Sequence, residues 1–162
     1  MDNSINKNAN ILSLFKLEAI DYIKGADDYS AAETMLIGFF DSIDVCSEVE
    51  NEYRKLPGFC LESCKFTKTP YNFSLDGHLA IDRVYYVQCC KIKESTGEEE
   101  VLEVGLFLSE EEAETEKKHL LCNDELDLSR ETDKTGFNIY IDEYKINQRH
   151  WQDGFTRYTW LS

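Results

Sequence analysis

Leu102-Glu-Val-Gly-Leu-Phe-Leu-Ser-Glu-Glu-Glu112 carries a strand directly into a helix. Leu102, Val104, Leu106 and Leu108 alternate with Glu103, Gly105 and Phe107, the period of two that puts one set on a single sheet face. Phe107 leaves the outer face less than fully polar. Ser109 then opens a capping box: its hydroxyl can accept from the amide of Glu112, whose carboxylate reaches back to the cap amide. The acids Glu110 to Glu112 suit the positive end of the helix dipole. The helix is expected from Glu110 to about Leu121, with Ala113, the stem of Lys117, Leu120 and Leu121 inward.

Upstream, Val84-Tyr-Tyr-Val-Gln-Cys-Cys-Lys-Ile92 is β-branched and aromatic and reads as a strand, and the polar run Lys93 to Glu100 around Ser95-Thr96-Gly97 closes a hairpin. Downstream, after a loop ending near Gly136, Phe137, Ile139 and Ile141 alternate. Tyr144 and Ile146 continue the apolar trace after a one-residue phase change, which a bulge would produce, so the last strand is expected over Phe137 to Ile146.

The same order recurs 67 positions earlier. Gly38, Phe40 and Ser42 match Gly105, Phe107 and Ser109, and Leu17, Ile20 and Ile23 fall where Val84, Val87 and Cys90 do. A helix over roughly Ile43 to Leu56 shows the stripe Cys46, Val49, Tyr53 and Leu56, with Val45 where the capping glutamate would stand. Beyond the helices the offset becomes 78, so that Gly58-Phe59 matches Gly136-Phe137 and Phe66 matches Tyr144, the second loop being 11 residues longer. Each copy closes on an aromatic followed by Asp-Gly, at Phe73 and Asp76-Gly77 and at Trp151 and Asp153-Gly154.

The expected fold is therefore α+β: a tandem duplication of a small β-β-α-β unit, each antiparallel sheet covered by a helix, with pseudo-twofold symmetry as a natural outcome. Residues 1–10 form a frayed N-terminus, 11–83 the first unit with its linker over Thr67 to Asp82, and 84–162 the second unit.

The 162 residues carry a net charge of -15, of which -6 falls before Val84 (14 acidic, 8 basic) and -9 after it (18 acidic, 9 basic). Nucleic acids and anionic membranes call for a positive footprint, so neither is expected as a partner; a basic protein is compatible. No apolar run approaches a membrane span, and the polar start lacks a secretory pattern, so a cytoplasmic location is expected. Cys46, Cys60, Cys64, Cys89, Cys90 and Cys122 form no Cys-x-x-Cys pair and read as reduced, mostly buried thiols. A zinc site from Cys60, Cys64 and a histidine fits structural zinc spacing poorly, and no cofactor or metal is expected.

The second half resembles a group of small, uncharacterised bacterial proteins. The residues that carry the resemblance are Val104-Gly105-Leu106-Phe107 with Ser109, Gly136-Phe137-Asn138-Ile139-Tyr140-Ile141-Asp142-Glu143-Tyr144, and Trp151-Gln152-Asp153-Gly154-Phe155. It covers roughly Val84 to Phe155, with a degraded version in the first half at Gly38-Phe39-Phe40 and Leu56-Pro57-Gly58-Phe59. The resemblance implies the module and no reaction.

The closing segment Asn147 to Phe155 concentrates polar, basic and aromatic groups. His150 could exchange a proton with Asp153, and Arg149 could hold an anion. The structural reading has Trp151 and Phe155 plug the end of the sheet, Asp153-Gly154 turn, and His150 and Arg149 face solvent. Tyr140, Asp142 and Glu143 read as strand-edge solvation, because neighbouring strand residues diverge to opposite faces. Glu98 to Glu100 and Glu110 to Glu112 read as a turn and a helix start, or as an acidic patch. His78 and His119 read as surface residues. Gly38 and Gly105 have no glycine cluster or following lysine and read as relief of crowding against an aromatic or the crossing helix.

These features favour a non-enzymatic, acidic protein-binding module such as a toxin-neutralising immunity protein or small inhibitor, contacting its partner through Glu110, Glu111, Trp151, Tyr158 and Trp160. The alternative is a small-molecule enzyme or ligand-binding module, with His150, Arg149, Asp153 and Tyr140 at the junction of the two units. Oligomeric state is open.

Overall fold

The computed structural model of the chain describes residues 11–24, 30–75, 81–93, 99–122, 135–151 and 153–155. Two β-β-α-β units follow one another: β1 (Ile11–Lys24), β2 (Ser30–Phe40), α1 (Ile43–Tyr53) and β3 (Cys64–Ser74), then β4 (Arg83–Lys93), β5 (Glu99–Phe107), α2 (Glu110–Cys122) and β6 (Thr135–Lys145). Each unit is a three-stranded antiparallel sheet with its first strand in the middle, in the orders β2-β1-β3 and β5-β4-β6. The expected duplication of the unit is thus present in the fold. No helix among the described residues is long and apolar enough to cross a membrane.

In the first unit Cys46, Val49 and Tyr53 form the buried stripe of α1 and pack with Leu17, Ala19, Ile37, Phe40, Phe59 and Cys64. Burying a side chain of the size of Val49 contributes about 1.5–3 kcal/mol, so this stripe is what holds a short helix to the sheet. Ser42 caps α1 by accepting the Asp44 amide at 3.2 Å. Lys68 on β3 ties the helix down from the side, at 2.7 Å from Glu50 and 2.9 Å from Ser47. In the second unit Val87, Cys89, Ala113 and Ile139 make the equivalent core, and Ser109 accepts the Glu112 amide at 3.3 Å as the capping box requires.

The strand register corrects the alignment of the repeats. Leu17 pairs with Gly38 and Val87 with Gly105, and in both hairpins the register slips at the next residue, leaving Ile37 and Val104 as the extra residues of matching bulges. Leu17 therefore corresponds to Val87, an offset of 70 (87 minus 17), while Gly38 and Gly105 keep the offset of 67 (105 minus 38). Ala19 then corresponds to Cys89, and all four residues are fully buried facing their helix. The first hairpin holds three more residues than the second between these partners. A three-residue slip flips the face of a strand, so a constant offset of 67 sets Leu17 against Val84 on the wrong face.

The bulge expected in the last strand is absent from its ladder. β6 runs against β4 in unbroken register from Arg83 opposite Lys145 to Lys93 opposite Thr135. The apolar phase change arises because Tyr144 belongs to the other face and packs edge-on against Tyr86, ring centres 6.3 Å apart.

The largest departure from expectation is at the end of the chain. Contacts divide the protein into Met1–Leu79 with Ile146–Ser162 and, separately, Ala80–Lys145. Among the described residues, those from Ile146 to Phe155 form an arm that completes the first unit, so the closing segment does not plug the sheet of the second. Phe155 is 5% exposed inside the first core, whereas Trp151, expected to share that role, is 61% exposed.

Candidate functional site

The clearest surface feature of the second unit is a hollow of about 360 Å³ lined by Tyr85, Glu110, Glu114, Lys117, Ile139, Tyr140, Ile141 and Glu143. Its construction follows from helix and strand periods. Glu110, Glu114 and Lys117 lie at i, i+4 and i+7, so one face of α2 presents all three. Opposite, Tyr85 and Glu143 are register partners on β4 and β6, and the Tyr85 hydroxyl donates to the Glu143 carboxylate at 3.4 Å. Arg83 anchors the other oxygen of Glu143 at 3.0 Å and also pairs with Asp82 at 3.1 Å.

Three carboxylates and one ammonium thus surround the Tyr85 phenol and two isoleucine side chains, while Tyr140, on the same strand face as Tyr144, borders the hollow at the β6 edge. Loss of hydration, together with Glu143 and Glu110, pushes the Tyr85 phenol above its ordinary range. Like any phenol it is protonated at neutral pH and can donate. Such a lining offers carboxylate acceptors and the Tyr85 ring to a cation, which is what the guanidinium or ammonium head of a basic side chain seeks. Among the described residues no group of three or more His, Cys, Asp or Glu side chains is arranged to hold a metal ion.

Of the residues singled out in the sequence, Tyr140 and Glu110 line this hollow, and Glu111 lies exposed on the first turn of α2. Tyr158 and Trp160 lie outside the described residues, as do His78 and Glu98. Tyr85, Glu114, Lys117 and Glu143 complete the lining. The helical spacing of Glu114 and Lys117 was readable, but the pairing of Tyr85 with Glu143 depends on strand register.

Arg149, His150 and Asp153 lie on the arm of the first unit, while Tyr140 lies on β6 of the second. Arg149 pairs with Glu52 of α1. The His150 amide donates to Ile37 at 2.7 Å, and its carbonyl accepts the Tyr53 hydroxyl at 2.7 Å. His150 is partly buried and so differs from the solvent-facing reading, whereas Arg149 is exposed as expected while pairing with Glu52. Burial raises the Tyr53 phenol above its ordinary range. Asn147 donates to Phe39 at 2.8 Å and accepts the Asp41 amide at 3.2 Å. Both Asn147 (φ 62°) and Trp151 (φ 56°) hold left-handed backbone, at a cost of about 1–2 kcal/mol each.

At Gly105 an added Cβ would meet the Phe107 ring at 3.4 Å, an ordinary contact, so the expected relief of crowding is not needed there. Gly38 serves the arm as well: a Cβ there would stand 2.4 Å from the Gln148 carbonyl oxygen. Cys60 is exposed and its thiol lies 3.3 Å from the Pro57 carbonyl, while Cys64 is buried in the core, so the two diverge.

Comparison with protein-family models, with curated proteins and with solved structures finds no match to this chain.

Proposed function

We propose that the protein is a non-enzymatic binding module for a basic protein partner, in the manner of a toxin-neutralising immunity protein or small inhibitor, and that the hollow on its second unit receives a cationic side chain. The observation that supports this is the lining itself: Glu110, Glu114 and Glu143 against Lys117, with Tyr85 beside them and Tyr140 at the strand edge. The net charge of -15 would speed the encounter, and the Tyr85 ring would supply anchoring area once the cation is seated.

Titration of the isotope-labelled protein with an arginine hexapeptide tests the reading. The expected result is a set of saturable shifts centred on Tyr85, Tyr140 and α2, weakened by salt and reduced several-fold in the Glu110→Gln/Glu114→Gln variant. Shifts spread evenly over all acidic surface, and unchanged by that variant, would remove the hollow as the site.

A further inference from the structure

The arm meets the first unit as a peptide meets a receptor. Its main chain adds to a sheet edge, with Asn147 and His150 donating to the β2 carbonyls of Phe39 and Ile37 at 2.8 and 2.7 Å. β2 is an edge strand, and Ile37 and Phe39 lie two residues apart, so both carbonyls face away from β1 and are open to the arm. Further along, Phe155 donates to the Gly58 carbonyl at 2.9 Å and sinks its ring beside Phe59, centres 5.7 Å apart. Edge hydrogen bonds with one buried aromatic anchor are the usual means by which a groove reads an extended segment.

The groove is selective. A Cβ at position 154 would come within 2.6 Å of the Gly58 backbone, so only glycine fits ahead of the anchoring phenylalanine. Glu52 on the rim takes a cation, supplied by Arg149. The chain contains four Gly-Phe pairs, beginning at Gly38, Gly58, Gly136 and Gly154. Five residues before these glycines stand Glu33, Tyr53, Glu131 and Arg149, so only the last pair has the cation.

We propose that this groove is a segment-binding site whose resident ligand is the chain's own arm, and that it accepts the arm of a second copy in its place. The contacts are the same whichever copy supplies the arm, so exchange is governed by linkage and concentration alone.

The test uses the full chain with a protease recognition sequence inserted between Lys145 and Ile146. After cleavage, native mass spectrometry should find the C-terminal fragment still bound. A fluorescein-labelled peptide spanning Ile146 to Phe155, standing for the arm of a second copy, should displace it with a saturable rise in anisotropy. Peptides carrying Gly154→Ala or Phe155→Ala, which leave the receptor untouched, should bind at least tenfold more weakly. Equal binding by those peptides would overturn the recognition. So would a fragment that separates while the circular dichroism of the remainder is unchanged, a fragment that never exchanges, or unfolding of the first unit on cleavage, which would make the arm an inseparable part of the core.

Discussion

Gly58 and Gly154 lie backbone against backbone: a Cβ on Gly58 would stand 2.7 Å from the Gly154 Cα, and one on Gly154 would stand 2.6 Å from the Gly58 Cα. Gly154 also holds a φ of 71°. Two residues 96 positions apart (154 minus 58) are thus each required to lack a side chain because of the other.

Gly154→Ala meets both the steric and the conformational penalty and is expected to destabilise the first unit by about 2–4 kcal/mol. Urea unfolding followed by circular dichroism measures this, with loss of hydrogen-exchange protection at the Phe155 amide as the local sign. An unchanged midpoint would show that the approach relaxes freely.

Phe155→Ala is expected to cost about 3–5 kcal/mol, the usual range for emptying a buried phenylalanine site. Trp151→Ala, at a side chain 61% exposed, is expected to change stability by less than about 1 kcal/mol. Paired urea midpoints decide between this assignment and one in which the tryptophan is the anchor.

Glu50 links pH to stability. Burial opposes its charge, but hydrogen bonds from Lys68 and Arg54 outweigh that and hold its pKa below the ordinary 4.5. A depressed carboxylate pKa adds stability that is complete above the unfolded value and disappears as pH falls through the folded one. Unfolding midpoints of the parent protein should therefore drop below pH 4.5 more steeply than those of Glu50→Gln. Parallel curves would assign the acid sensitivity to other carboxylates.

Thiol reactivity should separate Cys60 from its neighbours. Cys60 is exposed, whereas Cys46, Cys64, Cys89 and Cys90 are buried, and burial pushes the Cys46 thiol up to about 11. With iodoacetamide at pH 7.5, peptide mapping should find Cys60 alkylated in the native protein and those four only at the rate of unfolding. Rapid modification of Cys46 would mean that α1 opens far more readily than its packing implies.

Much of the repeat was legible because its signals are local. The Ser109 cap and the stripe Cys46, Val49 and Tyr53 depend on residues a few positions apart and stand where expected, whereas the alternation into Ser109 is broken by the bulge at Val104, which turns Phe107 inward with Leu102 and sets Leu106 opposite Tyr86 on the other face. The correspondence of Gly58 with Gly136 failed, since Gly136 pairs with Ile92 inside β6 whereas Gly58 lies in the turn before β3. A shared Gly-Phe pair says nothing about register.

The capped helix, the twin hairpins and the glycine that follows each bulge residue were written in the order of the residues, since backbone sterics and side-chain period act over a single turn or strand. Where the closing segment lands was not. Asn147 to Phe155 has the same local character whichever sheet edge it meets, and only the folded chain brings Gly58, Tyr53 and the Ile37 carbonyl to one groove. The hollow likewise needed Tyr85 and Glu143 set side by side by strand pairing. Such choices are made by long-range complementarity, which no window of sequence contains.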